Sequence, residues 1–290
     1  MKPVHIVPVG NVLGEGVLWD AQARKVLWTD IQSRRLFFYD PARDALESLP
    51  TPERLCSFGL VAGEDRLVAA FESGIALYEP RAQKIEWLAR PEFGTPGLRF
   101  NDGRVDRQGR FWTGTMLEGP DSAPAGTLYS IGRRSPLRAH ISGVGISNGI
   151  GFSPDSTRFY FADSPVRTIF VYDFDAGSGA ISNRRVFAST PKGAFPDGST
   201  VDAGGCVWNA HWGAGRVVRY APDGAVLTQL DVPATQPTCA AFGGRDLNLL
   251  FVTSARDGLN EAALSGQPHA GDLFIFEPAI TGLPDGRFVV

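Results

Sequence analysis

Two carboxylates and two carboxamides stand in this sequence where one repeated unit would bring them together. Glu15, Asn101, Asn148 and Asp197 each lie four residues before the last apolar residue of a short strand-like segment, and Ser57 and Thr238 hold the same place in two further segments. If equivalent positions share one height around an axis, six oxygen-bearing side chains face each other. Carboxylates brought close repel unless a proton or a cation sits between them. Oxygen-only ligation by Glu, Asn and Asp, with water completing the shell, suits hard divalent cations, and the lack of His in the ring weakens a zinc assignment. Taken singly, the same residues have plainer readings. Asn148-Gly149, Asp197-Gly198 and Asp102-Gly103 are ordinary turn dipeptides, and Ser57 and Thr238 read as polar lining.

The elements that would position this ring come from an internal repeat. The marker residues are Trp19, Val61, Val105, Phe152, Val201 and Phe242, at intervals of between 41 and 49 residues. Each is followed by a turn rich in Asp, Gly or Pro, such as Asp106-Arg107-Gln108-Gly109 or Asp202-Ala203-Gly204-Gly205, which is hairpin chemistry. A second apolar strand follows each turn, then a third, with weaker fourth strands, the better ones at residues 84–88, 186–188 and 226–230. Six such meanders predict an all-β fold, a six-bladed β-propeller with four-stranded antiparallel blades, as a single domain over residues 1–290. A β-sandwich would not require so regular a repeat. Ring closure needs a strand from one terminus; residues 5–9 are one candidate and residues 288–290 the other.

Composition agrees. The 290 residues include 34 Gly, 21 Pro and 19 Phe, which favours short strands joined by turns over long helices. A net charge of −3 without a Lys/Arg cluster argues against a nucleic-acid partner or an anionic membrane surface; the pairs Arg34-Arg35, Arg133-Arg134 and Arg184-Arg185 read as solvated turns. No apolar run reaches the roughly 18 residues of a membrane span, and residues 1–6 lack the apolar core of a signal peptide. Cys56, Cys206 and Cys239, an odd count without CxxC spacing, suit reduced core thiols in a cytoplasmic protein.

In the predicted topology, loops joining second to third strands open on the face that carries the ring. Two are long. Residues 116–126 carry Glu118 and Asp121, and residues 254–271 carry Arg256, Asp257, Glu261 and His269. Long loops on the binding face of a repeat scaffold shape access to it. Shorter loops add Asp30, Asp163 and His211-Trp212; His211 reads either as a site residue or as loop packing, while His5 and His140 read as structural. Trp212 could stack on a flat ligand face, whereas Trp112 and Trp208 lie within second strands and are expected in the core.

The segments Leu13-Gly14-Glu15-Gly16, Arg99-Phe100-Asn101-Asp102-Gly103, Ser147-Asn148-Gly149 and Pro196-Asp197-Gly198 resemble, in order, the signature segments of the SMP-30/gluconolactonase/regucalcin-like family. The similarity runs from about residue 10 to the end of the chain. The resemblance implies a six-bladed propeller that binds one divalent cation (Ca, Zn, Mn, Mg or Fe) and hydrolyses sugar lactones. It implies Glu15, Asn148 and Asp197 as metal ligands, with Arg99 and Asn101 as substrate-binding residues. Glu118, two residues beyond Gly114-Thr115-Met116, matches the family's acidic lid residue one position out of register, and Val17 stands where many relatives have Pro.

Ester chemistry fits these residues. A cation polarises the lactone carbonyl, and Asp197 is the candidate catalytic base, acting directly or by orienting a metal-bound water. Arg99 could donate to sugar hydroxyls and to the forming carboxylate, or it could serve as a salt bridge holding the lid. The expected partner is a small sugar lactone, with the chain a monomer or weak homo-oligomer. A propeller esterase acting on aryl or phosphorus esters and a non-enzymatic metal-binding protein are the alternatives.

Overall fold

The computed structural model describes residues 1–119, 123–133 and 135–290, and among them the chain forms six four-stranded antiparallel sheets arranged as a six-bladed propeller. Asp121 of the expected lid and Arg134 of a basic pair lie outside the described residues. The innermost strands are Gly14–Asp20, Leu55–Leu60, Leu98–Val105, Ser147–Phe152, Phe195–Val201 and Pro237–Gly243. Each leads a meander outward, as Lys25–Asp30, Arg35–Asp40 and Ala45–Pro50 do in the first blade.

Burial falls from axis to rim. Leu55–Leu60 and Ser147–Phe152 are buried at every position, whereas the rim strand Val226–Asp231 is exposed at all but one. Six apolar clusters fill the spaces between neighbouring blades, so each blade is held by its two neighbours. Trp112 and Trp208 are fully buried in these clusters, as expected, and each indole Nε1 donates to a carboxylate (Asp106 and Asp202) at 2.9 Å. Cys56, Cys206 and Cys239 are free and buried. The helix Glu261–Ser265, five residues long, interrupts the second long loop.

Closure uses the N-terminal candidate. His5–Val7 pairs antiparallel with Leu273–Phe276 (His5 opposite Ile275, Val7 opposite Leu273) and becomes the outer strand of the sixth blade. Residues 288–290 do something else. After Phe276 the chain runs as a strap across the turns joining first to second strands. Ala203 N donates to Thr281 O at 3.0 Å, Gly282 N to Leu247 O at 2.7 Å, Phe288 N to Leu60 O at 2.7 Å and Val289 N to Gly109 O at 3.1 Å. The strap thus ties four blades together at the end of the channel away from the ring.

Val7 is 3% exposed within the cluster shared by the first and sixth blades. Val7→Asp buries an unpaired charge at the ring's closing seam, so we expect it to cost about 3 kcal/mol or more of unfolding free energy. Urea unfolding followed by circular dichroism checks this, and a cost below about 1 kcal/mol would mean that the strand does not close the ring.

Candidate functional site

The four acidic and amide members of the expected ring do meet. Glu15, Asn101, Asn148 and Asp197 line one cavity of about 380 Å³, together with Arg99, Ser164, Asp257 and an apolar wall of Leu13, Met116, Ile146, Pro165, Phe195 and Trp212. Each of the four is less than 9% exposed.

The ring of six is not complete. Ser57 and Thr238 do not line the cavity: Ser57 Oγ lies 3.3 Å from Thr113 Oγ1, and Thr238 Oγ1 bonds Gly14 O and lies 2.8 Å from Thr253 Oγ1. Both hydroxyls are spent on joining strands, as short side chains at a crowded axis readily are.

A repeated slip of strand register explains how four side chains reach one point. In all six innermost strands the register with the second strand slips beside this position: between Glu15 and Leu18, Leu55 and Ser57, Phe100 and Gly103, Asn148 and Gly151, Pro196 and Ser199, and Pro237 and Ala240. A bulge sets two residues against one and re-aims the side chain next to it. The glycines follow from this. Gly149 has φ of 61°, and a Cβ on Gly198 would lie 2.6 Å from Cys239 Sγ of the adjacent blade. The turn-like dipeptides Asn148-Gly149 and Asp197-Gly198 are therefore bulges within strands.

Hydrogen bonds fix the ring from behind. Asn101 Nδ2 donates to Asn148 Oδ1 at 2.9 Å and to Ser147 O at 3.0 Å, while Asn148 Nδ2 donates to Ser164 Oγ at 2.9 Å. Arg99 Nη1 donates to Asn101 Oδ1 at 2.9 Å and its Nε to Glu118 Oε1 at 2.7 Å. Glu118 does not line the cavity; it sits behind Arg99, gripped also by Arg54 at 2.9 and 3.0 Å. Asp30 and Asp163 support the ring from outside it. Asp30 accepts from Val12 N and Leu13 N, and Asp163 from Gly145 N and Ile146 N, fixing the segments that lead into Glu15 and Asn148. His211, within the strand Val207–Trp212, is buried with Nε2 2.9 Å from Tyr220 Oη, burial followed by the nearby Arg216 pushes its pKa down to about 4, and it packs there without lining the cavity. Asp257 and Trp212 do reach the cavity, while Arg256, Glu261 and His269 do not line it.

Positive charge paired with the two ring carboxyls is what this site lacks among the described residues. Burial, then the Asp102 carboxylate, raises the pKa of Glu15 to about 8 against the opposing Gly16 amide and Arg99. Burial, then Glu15, then Asp102, pushes Asp197 well above the usual carboxylate range. Asp197 Oδ1 is moreover a buried acceptor with no hydrogen-bond partner among the described residues, an arrangement that costs stability unless something fills it. Among the described residues no three His, Cys, Asp or Glu side chains are grouped so as to hold a metal ion, so any cation here would rely on the Asn148 amide as its third protein ligand. Two carboxylates, one of them with an orphaned oxygen, and a carboxamide oxygen suit a hard divalent cation.

Comparisons with known proteins place the chain among relatives along nearly its whole length. Residues 13–256 match the SMP-30/Gluconolactonase/LRE-like region. The chain is 40% identical to an L-arabinolactonase of Azospirillum brasilense over 281 residues, covering 96% of this chain and 92% of that one. It is 36% identical to a 6-deoxy-6-sulfogluconolactonase of Pseudomonas putida, covering 98% and 97%. A solved calcium-binding protein, regucalcin, from Agrobacterium tumefaciens superposes with a TM-score of 0.93 at 30% identity, covering 98% of this chain and 97% of that one.

The raised carboxyls carry a pH signature. In cation-free protein Glu15 binds a proton in the folded state up to about pH 8, whereas its ordinary value is 4.5. The folded chain therefore holds more protons than the unfolded chain between those values, and stability falls as pH rises through that window. We expect urea unfolding in chelator to show this decline from pH 5 to 8, and Glu15→Gln to flatten it. A slope unchanged by Glu15→Gln would place the proton elsewhere.

Proposed function

The chain belongs to the SMP-30/gluconolactonase/LRE-like family, and from that premise we propose that it is a metal-dependent hydrolase opening sugar-derived lactones to sugar acids in carbohydrate catabolism. The observation that carries this reading is the convergence of Glu15, Asn148 and Asp197 in one cavity with Arg99 and Asn101, with Asp197 Oδ1 left unpartnered. Relatives along nearly the whole chain named as sugar lactonases support the substrate class.

In this reading Glu15, Asn148 and Asp197 hold the cation. When bound, a divalent cation supplies Lewis acidity, stabilising the oxyanion that develops as water attacks the lactone carbonyl. Asp197 takes the proton of the attacking water. It lines the same cavity as Arg99 and Asn101, on the side where substrate would lie. As the ring carbon–oxygen bond breaks, that proton passes to the departing alkoxide, which becomes the new hydroxyl of the sugar acid. Arg99 stays charged and forked, and Glu118 and Asn101 fix its plane, so it can donate to substrate hydroxyls and to the forming carboxylate. Glu118 acts on substrate through Arg99. Trp212 and Phe195 offer flat apolar surface to the C–H face of a sugar ring.

The apolar wall of Leu13, Met116, Ile146, Pro165, Phe195 and Trp212 favours one competitor, an esterase for aryl esters. A panel of aldonolactones and aryl esters, each assayed with and without chelator, separates the two. The lactonase reading expects turnover of aldonolactones that chelator removes and added divalent cation restores. Aryl-ester turnover alone would favour the competitor, and tight cation binding without any turnover would favour a binding protein.

Glu15→Gln and Asp197→Ala should each lower kcat on an aldonolactone by roughly 10³-fold or more with the circular dichroism spectrum unchanged. Retention of most activity in either variant would remove the role assigned to it. Arg99→Ala should raise KM for polyhydroxylated lactones by about tenfold or more while changing simple unsubstituted lactones little; equal loss on both would contradict its part in hydroxyl recognition.

A further inference from the structure

Below the candidate ligands the axial channel narrows to a small cavity lined by Gly16, Asp102, Arg104, Cys239 and Asp285, among others. Three of its lining groups are charged, and they alternate in sign along the axis. Asp285 belongs to the C-terminal strap and forms a partly buried ion pair with Arg104; the two side chains are 20% and 14% exposed. The other arm of Arg104 donates to Ser199 O at 2.7 Å, two residues beyond Asp197. Asp102 follows, its carboxylate accepting from Gly103 N at 2.8 Å and from Ile150 N at 3.1 Å. The Glu15 and Asp197 carboxylates complete the series, and Asp102 acts on both.

We propose that Arg104, held in the channel by Asp285 of the C-terminal strap, is a positioning residue that sets the divalent-cation affinity of the ring above it, acting through Asp102 and through the strand that carries Asp197. The inference rests on the reading of Glu15, Asn148 and Asp197 as ligands. Its physical basis is that a poorly hydrated channel screens charge weakly, so one fixed cation beneath a carboxylate pair is felt several ångströms away. Arg104 and Asp102 line the same small cavity, so the guanidinium charge offsets the Asp102 carboxylate there. Neutralising Arg104 leaves Asp285 and Asp102 uncompensated and makes the channel more attractive to a cation. Neutralising Asp285 frees the full positive charge and makes it less so. A purely structural ion pair would behave differently, since losing either partner would loosen the same strand and weaken the ring both times.

The test is isothermal calorimetry of Mn²⁺ and Ca²⁺ binding to the full-length chain at low ionic strength, a readout independent of turnover. Arg104→Gln, which keeps a donor for Ser199 O, should tighten binding by about tenfold, and Asp285→Asn should weaken it by about tenfold. The double variant should return to within about threefold of the unaltered protein. Shifts of the same sign in both single variants, or shifts below about twofold, overturn the proposal. If the unaltered chain binds neither cation, the ligand reading itself fails and takes this inference with it. Should Arg104→Gln not fold, Asp285→Asn against Asp285→Glu carries the same test, with binding weakened in the first and retained in the second. Equal affinities in those two would overturn it.

Discussion

Two carboxylates held together out of water demand compensation, and the rest of this structure is arranged around that demand. Glu15 and Asp197 come from the first and fifth blades, each almost fully buried, and each is pushed toward its protonated form by burial and by further carboxylates. No arginine or lysine pairs with either among the described residues; Arg99, the cation nearest in the wall, is engaged by Glu118 and Asn101. A protein that places two acids this way without pairing them keeps a position of unmet negative charge. Such positions occur where a proton must move or a cation must sit.

The propeller suits that purpose because its core lies between blades and leaves the axis free for polar groups. Apolar packing in the six inter-blade clusters carries stability, so innermost-strand residues at the site need only be aimed. The aiming comes from a register slip repeated in every innermost strand, reinforced by Asp30 and Asp163 fixing the backbone that leads into Glu15 and Asn148. Behind Arg99, the chain Arg99–Glu118–Arg54–Glu72 runs outward into the second blade, with contacts of 2.7 to 3.0 Å. A forked cation anchored at both ends presents one geometry to a substrate, which limits the rotamer freedom lost on binding.

Much of this was legible in the sequence, and the reasons differ by feature. The blades were readable because turn chemistry recurs after each marker, and the meeting of Glu15, Asn101, Asn148 and Asp197 followed from counting four residues back from it. The fourth strands Ala45–Pro50 and Ser135–Val144 were not readable; exposed on the rim, they carry little apolar alternation. The bulges were hidden because one extra residue in a strand has no composition of its own, and Gly149 and Gly198 look the same in a turn. Ser57 and Thr238 fit the ring by position, and only three dimensions reveal that their hydroxyls close on Thr113 and on Gly14 and Thr253. The course of the C-terminal strap is set by contacts with four separate blades, which no local pattern records.

In the proposed function, Glu15, Asn148 and Asp197 together hold one divalent cation on the propeller axis. Anomalous diffraction from crystals grown with Mn²⁺, recorded at the manganese edge, tests it without reference to turnover. One strong peak is expected, within about 2.5 Å of a carboxylate oxygen of Glu15, the amide oxygen of Asn148 and the Oδ1 of Asp197. A map without a peak between those three side chains, or with manganese bound only elsewhere, would contradict it.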